Sequence, residues 1–196
     1  MRSLFPSLPA THRYPRRLQL VPLLACVVIG TLSAAAAAAD PLFSSPFQSF
    51  DTGSNPHCVA IGDLNRDGIP DLATANVGSN SVSVLLGYGD GTFRARTDFS
   101  TGQGSTSVAI GDLNRDGTPD CAIANEQSST VSVLLGNGDG TFGAKTDYGT
   151  GSTPFTVAIG DLNGDGIPDL AVTNELSNTV SVLLGSGDGS FGAKTD

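Results

Sequence analysis

The sequence is short of charge, of basic residues, of histidine and of cysteine, and each shortage closes off a class of function. Charged residues make up only 15% of the chain, with 10 Lys plus Arg against 19 Asp plus Glu. Four of the basic residues fall before Asp40, so the remainder carries six scattered basic residues and a net charge of −13. An acidic body without a basic cluster is a poor match for a phosphate backbone, and nucleic acid is not an expected partner. That body has one histidine, His57, and two cysteines, Cys58 and Cys121. His57 and Cys58 are neighbours on a predicted strand and would point to opposite faces, which removes the obvious nucleophile–base pair. No other catalytic constellation is visible, so the chain reads as a non-enzyme. Two cysteines do not make a disulfide framework. Cys121 stands where Leu72 and Leu170 stand and reads as a small buried hydrophobe, and both thiols are expected to stay unpaired. Glycine is plentiful at 25 residues. It has no Gly-X-Y period, which excludes collagen.

The first 39 residues are a different material. They hold no Asp or Glu, carry Arg2, Arg13, Arg16 and Arg17 at the head, then run apolar from Leu18 to Ala39 and end in alanines. Basic head, apolar middle and small-residue exit predict a secretory signal peptide over 1–39, cleaved after Ala39. The rival, an uncleaved anchor, is long enough to span a bilayer but is weakened by Pro22, Gly30 and the weakly apolar alanine tail. Cleavage implies a secreted, periplasmic or cell-surface protein with no membrane span in the mature chain. Residues 40–49 read as a linker or a closing strand.

From Phe50 onward one unit is written three times. Asp-Leu-Asn recurs at Asp63, Asp112 and Asp161, 49 residues apart each time. The units are 50–98, 99–147 and 148–196. A period of this size points to a propeller, a solenoid or an array. Within a unit, Val59–Gly62, Leu72–Ala75 and Val82–Leu86 read as strands, and no segment has helical spacing over ten or more residues. Gly89-Asp90-Gly91 and its copies at 138–140 and 187–189 read as turns requiring positive φ, followed by a fourth strand from Phe93 to Phe99. Four short antiparallel strands in 49 residues make one propeller blade. The predicted fold is therefore all-β, three four-stranded blades of a partial or open propeller, with Ala60 and Gly62 on the crowded innermost strand. Three blades do not close a ring, since propellers have about four to eight. Further repeats downstream, self-association, or the segment 47–53 completing the last blade are the ways left open.

The chemistry is concentrated in the loop after the first strand of each unit. In Asp63-Leu64-Asn65-Arg66-Asp67-Gly68-Ile69-Pro70-Asp71, oxygen side chains occupy positions 1, 3, 5 and 9, and glycine occupies position 6. The copies run from Asp112 to Asp120 and from Asp161 to Asp169. Alternate positions bring oxygens into one concavity, glycine permits the sharp turn, and a carbonyl at position 7 can complete the set. That is an oxygen cage for a hard cation of the size and charge of Ca2+. The candidate ligands are Asp63, Asn65, Asp67, Ile69 and Asp71; Asp112, Asn114, Asp116, Thr118 and Asp120; and Asp161, Asn163, Asp165, Ile167 and Asp169. About three Ca2+ sites follow. One Asp/Asn/Gly-rich loop is as consistent with a solvated turn. Three copies keep every oxygen while position 4 drifts between Arg and Gly, which favours the metal. An EF-hand is excluded because position 12 is Thr74, Ile123 or Val172 instead of Glu, and the flanks are strands. Asp90, Asp139 and Asp188 read as plain turn residues.

These residues resemble FG-GAP repeats, also called VCBS-type repeats. The resemblance rests on Asp-x-Asn-x-Asp-Gly-x-x-Asp, on the Val-Ala-Ile-Gly before it, and on Phe142-Gly143 and Phe191-Gly192, and it covers residues 50–196. Phe93 departs from it, being followed by Arg94, and no Gly-Ala-Pro occurs. The resemblance implies an integrin α-chain-like β-propeller whose loops bind Ca2+ through Asp63, Asn65, Asp67 and Asp71 and their counterparts. The expected function is an exported, calcium-binding, non-catalytic module for an unidentified protein or glycan ligand in adhesion or binding. The alternatives are a fragment of an exported polysaccharide lyase or phospholipase, and a purely structural surface repeat. Tyr88 and Phe155 are the candidate aromatics for ligand contact.

Overall fold

The computed structural model describes residues 47–196. The expected leader over 1–39 and the first part of the 40–49 segment lie outside the described residues. The described elements are eleven strands. Blade 1 consists of β1 (Pro56–Gly62), β2 (Asp71–Asn76), β3 (Ser81–Leu85) and β4 (Thr97–Ser100). Blade 2 repeats this with β5 (Ser105–Gly111), β6 (Asp120–Asn125), β7 (Thr130–Leu134) and β8 (Thr146–Gly149). Blade 3 has β9 (Pro154–Gly160), β10 (Asp169–Asn174) and β11 (Thr179–Leu183). Each sheet is antiparallel in sequence order, β1-β2-β3-β4, β5-β6-β7-β8 and β9-β10-β11. The described residues thus form an all-β series of propeller blades.

The strands alternate their side chains between two faces, and both faces of a blade between neighbours are buried. Leu64, Ala73, Ala75, Val82 and Val84 on one face of blade 1 close a core with Val108, Cys121, Ile123, Leu134 and Phe142 of blade 2. The same positions, 49 residues on, close a second core between blades 2 and 3. Small residues set the spacing along the innermost strands. β1 lies against β5, and β5 against β9. A Cβ on Gly62 would meet the Ile110 side chain at 3.1 Å, and one on Gly111 would meet Ile159 at 3.1 Å. Ala60 and Gly62 therefore sit where the sequence placed them, on the crowded inner edge.

Aromatic pairs join the blades farther out. Phe99 of β4 meets Phe142 edge-on at 5.2 Å, and Tyr148 meets Phe191 at 5.5 Å. Phe50 meets Phe93 in the same way at 5.1 Å, so it occupies the slot of a preceding blade's outer strand. Residues 47–55 form no strand. Two further details differ from expectation. The fourth strand does not begin at Phe93, which forms an isolated bridge to Gly87; regular pairing starts at Thr97. In blade 3 that strand is reduced to a bridge between Thr195 and Val182. Gly89-Asp90-Gly91 lies inside the Gly87–Phe93 bridge with φ of 83° and 86° at its glycines, as the turn requires. Cys58 and Cys121 are both free, and Cys121 is buried in the inter-blade core. Among the described residues no helix is long and apolar enough to cross a membrane.

Candidate functional site

Each nine-residue loop joins the innermost strand to the second strand, so all three lie at the same end of their blades. Glycine at position 6 has φ of 82°, 80° and 78° in Gly68, Gly117 and Gly166. Position 4 is also left-handed, with Arg66 at 61°, Arg115 at 63° and Gly164 at 81°. That explains its drift between Arg and Gly: glycine is free there, while arginine bears a strain of about 1–3 kcal/mol that something else must offset. The stem of Arg66 lies over the turn of the next blade, 3.6 Å from where a Cβ on Gly138 would be, and Arg115 does the same over Gly187. The Arg66 charge also reaches Asp116 of the neighbouring loop.

The candidate ligands divide into an exposed rim and a buried root. At the rim of the first loop, Asp63 Oδ1 and Asn65 Oδ1 both accept from the Asp67 amide at 3.1 Å, which places the two oxygens on one side of the chain. Asp63 Oδ2 accepts from Gly68 N–H at 2.9 Å, and Asp67 Oδ1 accepts from Ile69 N–H at 2.8 Å. Asn65 Nδ2 donates to Asp67 Oδ2 at 2.8 Å. The second loop repeats every bond with Asp112, Asn114, Asp116 and Thr118. In the third loop Asp161 Oδ1 accepts from Gly164 N–H at 2.7 Å instead of from Asp165, while Asn163, Asp165 and Ile167 keep their pattern. The Asn114 side chain, then the Thr118 amide, hold Asp116 below the usual carboxylate range. The Gly166 and Gly164 amides do the same for Asp161.

The root is different. Asp71 is fully buried, and its oxygens accept from Leu64 N–H and Gly87 N–H, both at 2.8 Å. Asp120 holds Leu113 and Gly136 at 2.7 Å, and Asp169 holds Leu162 at 2.9 Å and Gly185 at 2.8 Å. Each root carboxylate therefore ties the start of its loop to the exit of the third strand. The glycine at that exit is required, because a Cβ on Gly87 would stand 2.3 Å from the Pro70 carbonyl oxygen. Burial pushes the Asp120 carboxyl up, against the opposing effect of its two amide donors.

Asp63, Asn65 and Asp67 are thus linked by hydrogen bonds at the rim, whereas Asp71 is engaged by the Leu64 and Gly87 amides, and the other two loops divide in the same way. Among the described residues no three His, Cys, Asp or Glu side chains stand close enough to hold a metal ion. The loop amides and the Asn side chains are the hydrogen-bond donors that the rim carboxylates engage. In donor chemistry the residues fit a hard cation: every side-chain donor is an oxygen, and an ionised carboxylate has about four lone-pair sites, of which the amides use only part. Tyr88 is exposed and carries Arg94 over its ring at 5.7 Å. Phe155 is exposed on blade 3, and its ring lies 6.5 Å from that of His57. Asp90, Asp139 and Asp188 accept from Thr92, Thr141 and Ser190 within their turns, as plain turn residues do.

A second polar constellation escaped the sequence reading. Asn76 Nδ2 donates to Ser83 Oγ at 2.9 Å, Ser83 Oγ donates to Asp98 at 2.6 Å, and Gly53 N–H donates to Ser83 at 3.0 Å. Asn125, Ser132 and Asp147 repeat it, as do Asn174, Ser181 and Asp196. It stitches the second, third and outer strands of each blade. The Asn125 carbonyl accepts from Ser105 at 3.5 Å. Pro56 and Pro154 stand at that position in the other blades, and there the carbonyls of Asn76 and Asn174 have no partner. The signal was available as a 49-residue recurrence of Asn, Ser and Asp.

The profile of the FG-GAP-like repeat matches residues 63–123 and again 112–172, and that of the FG-GAP repeat matches 153–193. The first two matches each begin at the first aspartate of a loop and run through the next loop into the following blade. No curated protein sequence matches the chain.

Proposed function

The chain belongs to the FG-GAP repeat family, and from that premise we propose that it is an exported, non-catalytic β-propeller repeat module whose three loops bind Ca2+. The observation that supports this most is the threefold repetition of one oxygen donor set at one end of the blades, with the rim bonds nearly unchanged between loops. Asp63, Asn65, Asp67 and Asp71 would hold the ion in the first loop with the Ile69 carbonyl. Asp112, Asn114, Asp116, Thr118 and Asp120 would do so in the second, and Asp161, Asn163, Asp165, Ile167 and Asp169 in the third. Bound Ca2+ would supply positive charge against the surplus carboxylates and cross-link rim to root.

The chain's own residues do the rest. The root aspartates hold the loop ends, the glycines at position 6 turn the chain, and the rim amides orient the rim carboxylate oxygens. Export rests on the leader pattern over 1–39, and the absence of a nucleophile–base pair in the sequence supports a binding role toward a protein or glycan. The test is thermal unfolding of the protein in millimolar Ca2+ against a chelator. A ligand of the folded state adds RT ln(1 + [L]/Kd), about 2.7 kcal/mol per site at a hundredfold excess over Kd, so a clear rise in Tm is expected. An unchanged Tm together with no Ca2+ uptake leaves only acidic turns.

A further inference from the structure

Blades 1 and 3 each leave one apolar face open, and the two open faces are the two halves of an interface the chain already makes twice. On the side that receives the next blade, Leu64 and Leu113 are 1% and 0% exposed, whereas Leu162 at the same position of blade 3 is 54% exposed. Val82 and Val131 are fully buried, whereas Val180 is 48% exposed. On the opposite side, Val108 and Val157 are each 5% exposed against 58% for Val59 of blade 1. Ile61 is exposed where Ile110 and Ile159 pack on the glycines of the preceding blade.

The polar fittings match as well. Blade 2 seats its entry segment on the second hairpin of blade 1 through Thr101 N–H to Asn80 O at 3.0 Å and Gly104 N–H to Asn80 Oδ1 at 2.7 Å. Blade 3 presents the equivalent Asn178, with the same left-handed backbone, beside a cavity of about 600 Å3 lined by Phe155, Thr173, Asn174 and Val180. Blade 1 presents Thr52 and Asn55 where Thr101 and Gly104 stand, and Asn55 shares the positive φ of Gly104. Each open face also differs from its internal copies at one position of the second strand. Thr173, exposed on blade 3, replaces the smaller Ala75 and Ala124, and Thr74, 6% exposed at the floor of the blade 1 face beside Val59, replaces the larger Ile123 and Val172. Larger on one side and smaller on the other conserves volume across the joint, which close packing requires.

We propose that the open face of blade 3 docks on the open face of blade 1 of a second copy of this chain. The joint is heterologous, head to tail, and two such joints close two copies into a ring of six blades, within the usual range for propellers. The occupant is a second copy because these two faces carry the compensating threonines, whereas a further repeat like blade 2 or blade 3 would set Ile or Val against Thr173.

The test uses the full chain and two exposed-site variants, Ile61→Asp on the head and Val180→Asp on the tail, with circular dichroism to confirm folding and Leu162→Asp as a second tail variant. Light scattering at micromolar concentration is expected to give two copies per particle for the wild-type chain. Each variant alone is expected to dissociate at least tenfold more readily, and a mixture of head and tail variants to recover a pair, since one intact head meets one intact tail. A wild-type mass of one copy overturns the pairing. A mass that grows without limit with concentration overturns ring closure. Loss of association in only one of the two variants, or failure of the mixture to pair, overturns the head-to-tail assignment.

Discussion

Within one nine-residue loop, the rim and the root use the same residue type for opposite ends. Asp67 and Asp116 are exposed, bonded to neighbours two residues away, and replaceable without disturbing another strand. Asp71 and Asp120 are buried and hold backbone N–H groups that lie seven and sixteen residues away. A local carboxylate keeps spare lone pairs on the surface and suits ion capture. A long-range one is part of the fold, because a buried amide left without an acceptor costs about 1–3 kcal/mol. The pattern Asp-x-Asn-x-Asp-Gly-x-x-Asp thus encodes an exposed group of oxygen donors and its buried foundation in one string.

The comparison breaks most sharply at the root. Asp120→Ala leaves the Leu113 and Gly136 amides unpartnered and is expected to destabilise the protein by about 2–5 kcal/mol. Urea unfolding in a chelator should show that loss in full, whereas Asp116→Ala at the rim should leave the midpoint in chelator nearly unchanged. Next comes the inter-strand network. Ser132→Ala removes the acceptor of Asn125 and of Gly102 and the donor to Asp147, and about 2–3 kcal/mol of stability should go with it, again independent of Ca2+.

Arg66 gives a smaller effect and a sign test. Arg66→Ala keeps the left-handed strain and loses the contact with blade 2, so a loss of about 1 kcal/mol is expected; Arg66→Gly relieves the strain and should lie within about 0.5 kcal/mol of the parent by the same urea measurement. The smallest effect is in proton uptake. Asp116 is held low in the fold, so its contribution is present above the ordinary carboxylate range and lost as pH falls through its depressed value. Asp120 is pushed up, so its contribution runs the other way, present below the ordinary range and lost as pH rises through the elevated value. Carboxyl NMR titration of the metal-free protein should find Asp116 ionising before Asp120, and the reverse order would dissolve the distinction between rim and root.

The fold was legible because a 49-residue period, strand-length apolar runs and glycine turns all point to one blade. The candidate loops were legible for the same reason: Asp63, Asn65 and Asp67 recur in register. What the sequence hid was the direction of each side chain. Asp71 reads as a fourth ligand, and only the packing shows it clamping Leu64 to Gly87. Asn76, Ser83 and Asp98 lie on the face of blade 1 turned away from blade 2, and Asn76 and Ser83 are nonetheless buried, because the entry segment crosses them and Gly53 N–H donates to Ser83. Polar alternation marks a solvated face only where nothing covers it, and here the blade's own entry segment lies across the polar side chains. The outer strand is shorter than its apolar start at Phe93 suggests, because Phe93 packs edge-on against Phe50 of the entry segment and regular pairing begins at Thr97.

The most direct measurement of the central claim is calorimetric titration of the metal-stripped protein with Ca2+, repeated on Asp67→Ala, Asp116→Ala and Asp165→Ala. Three sites are expected in the parent protein and one fewer in each variant. The absence of binding heat, or a stoichiometry that none of the three substitutions changes, would contradict the assignment of Ca2+ to these loops.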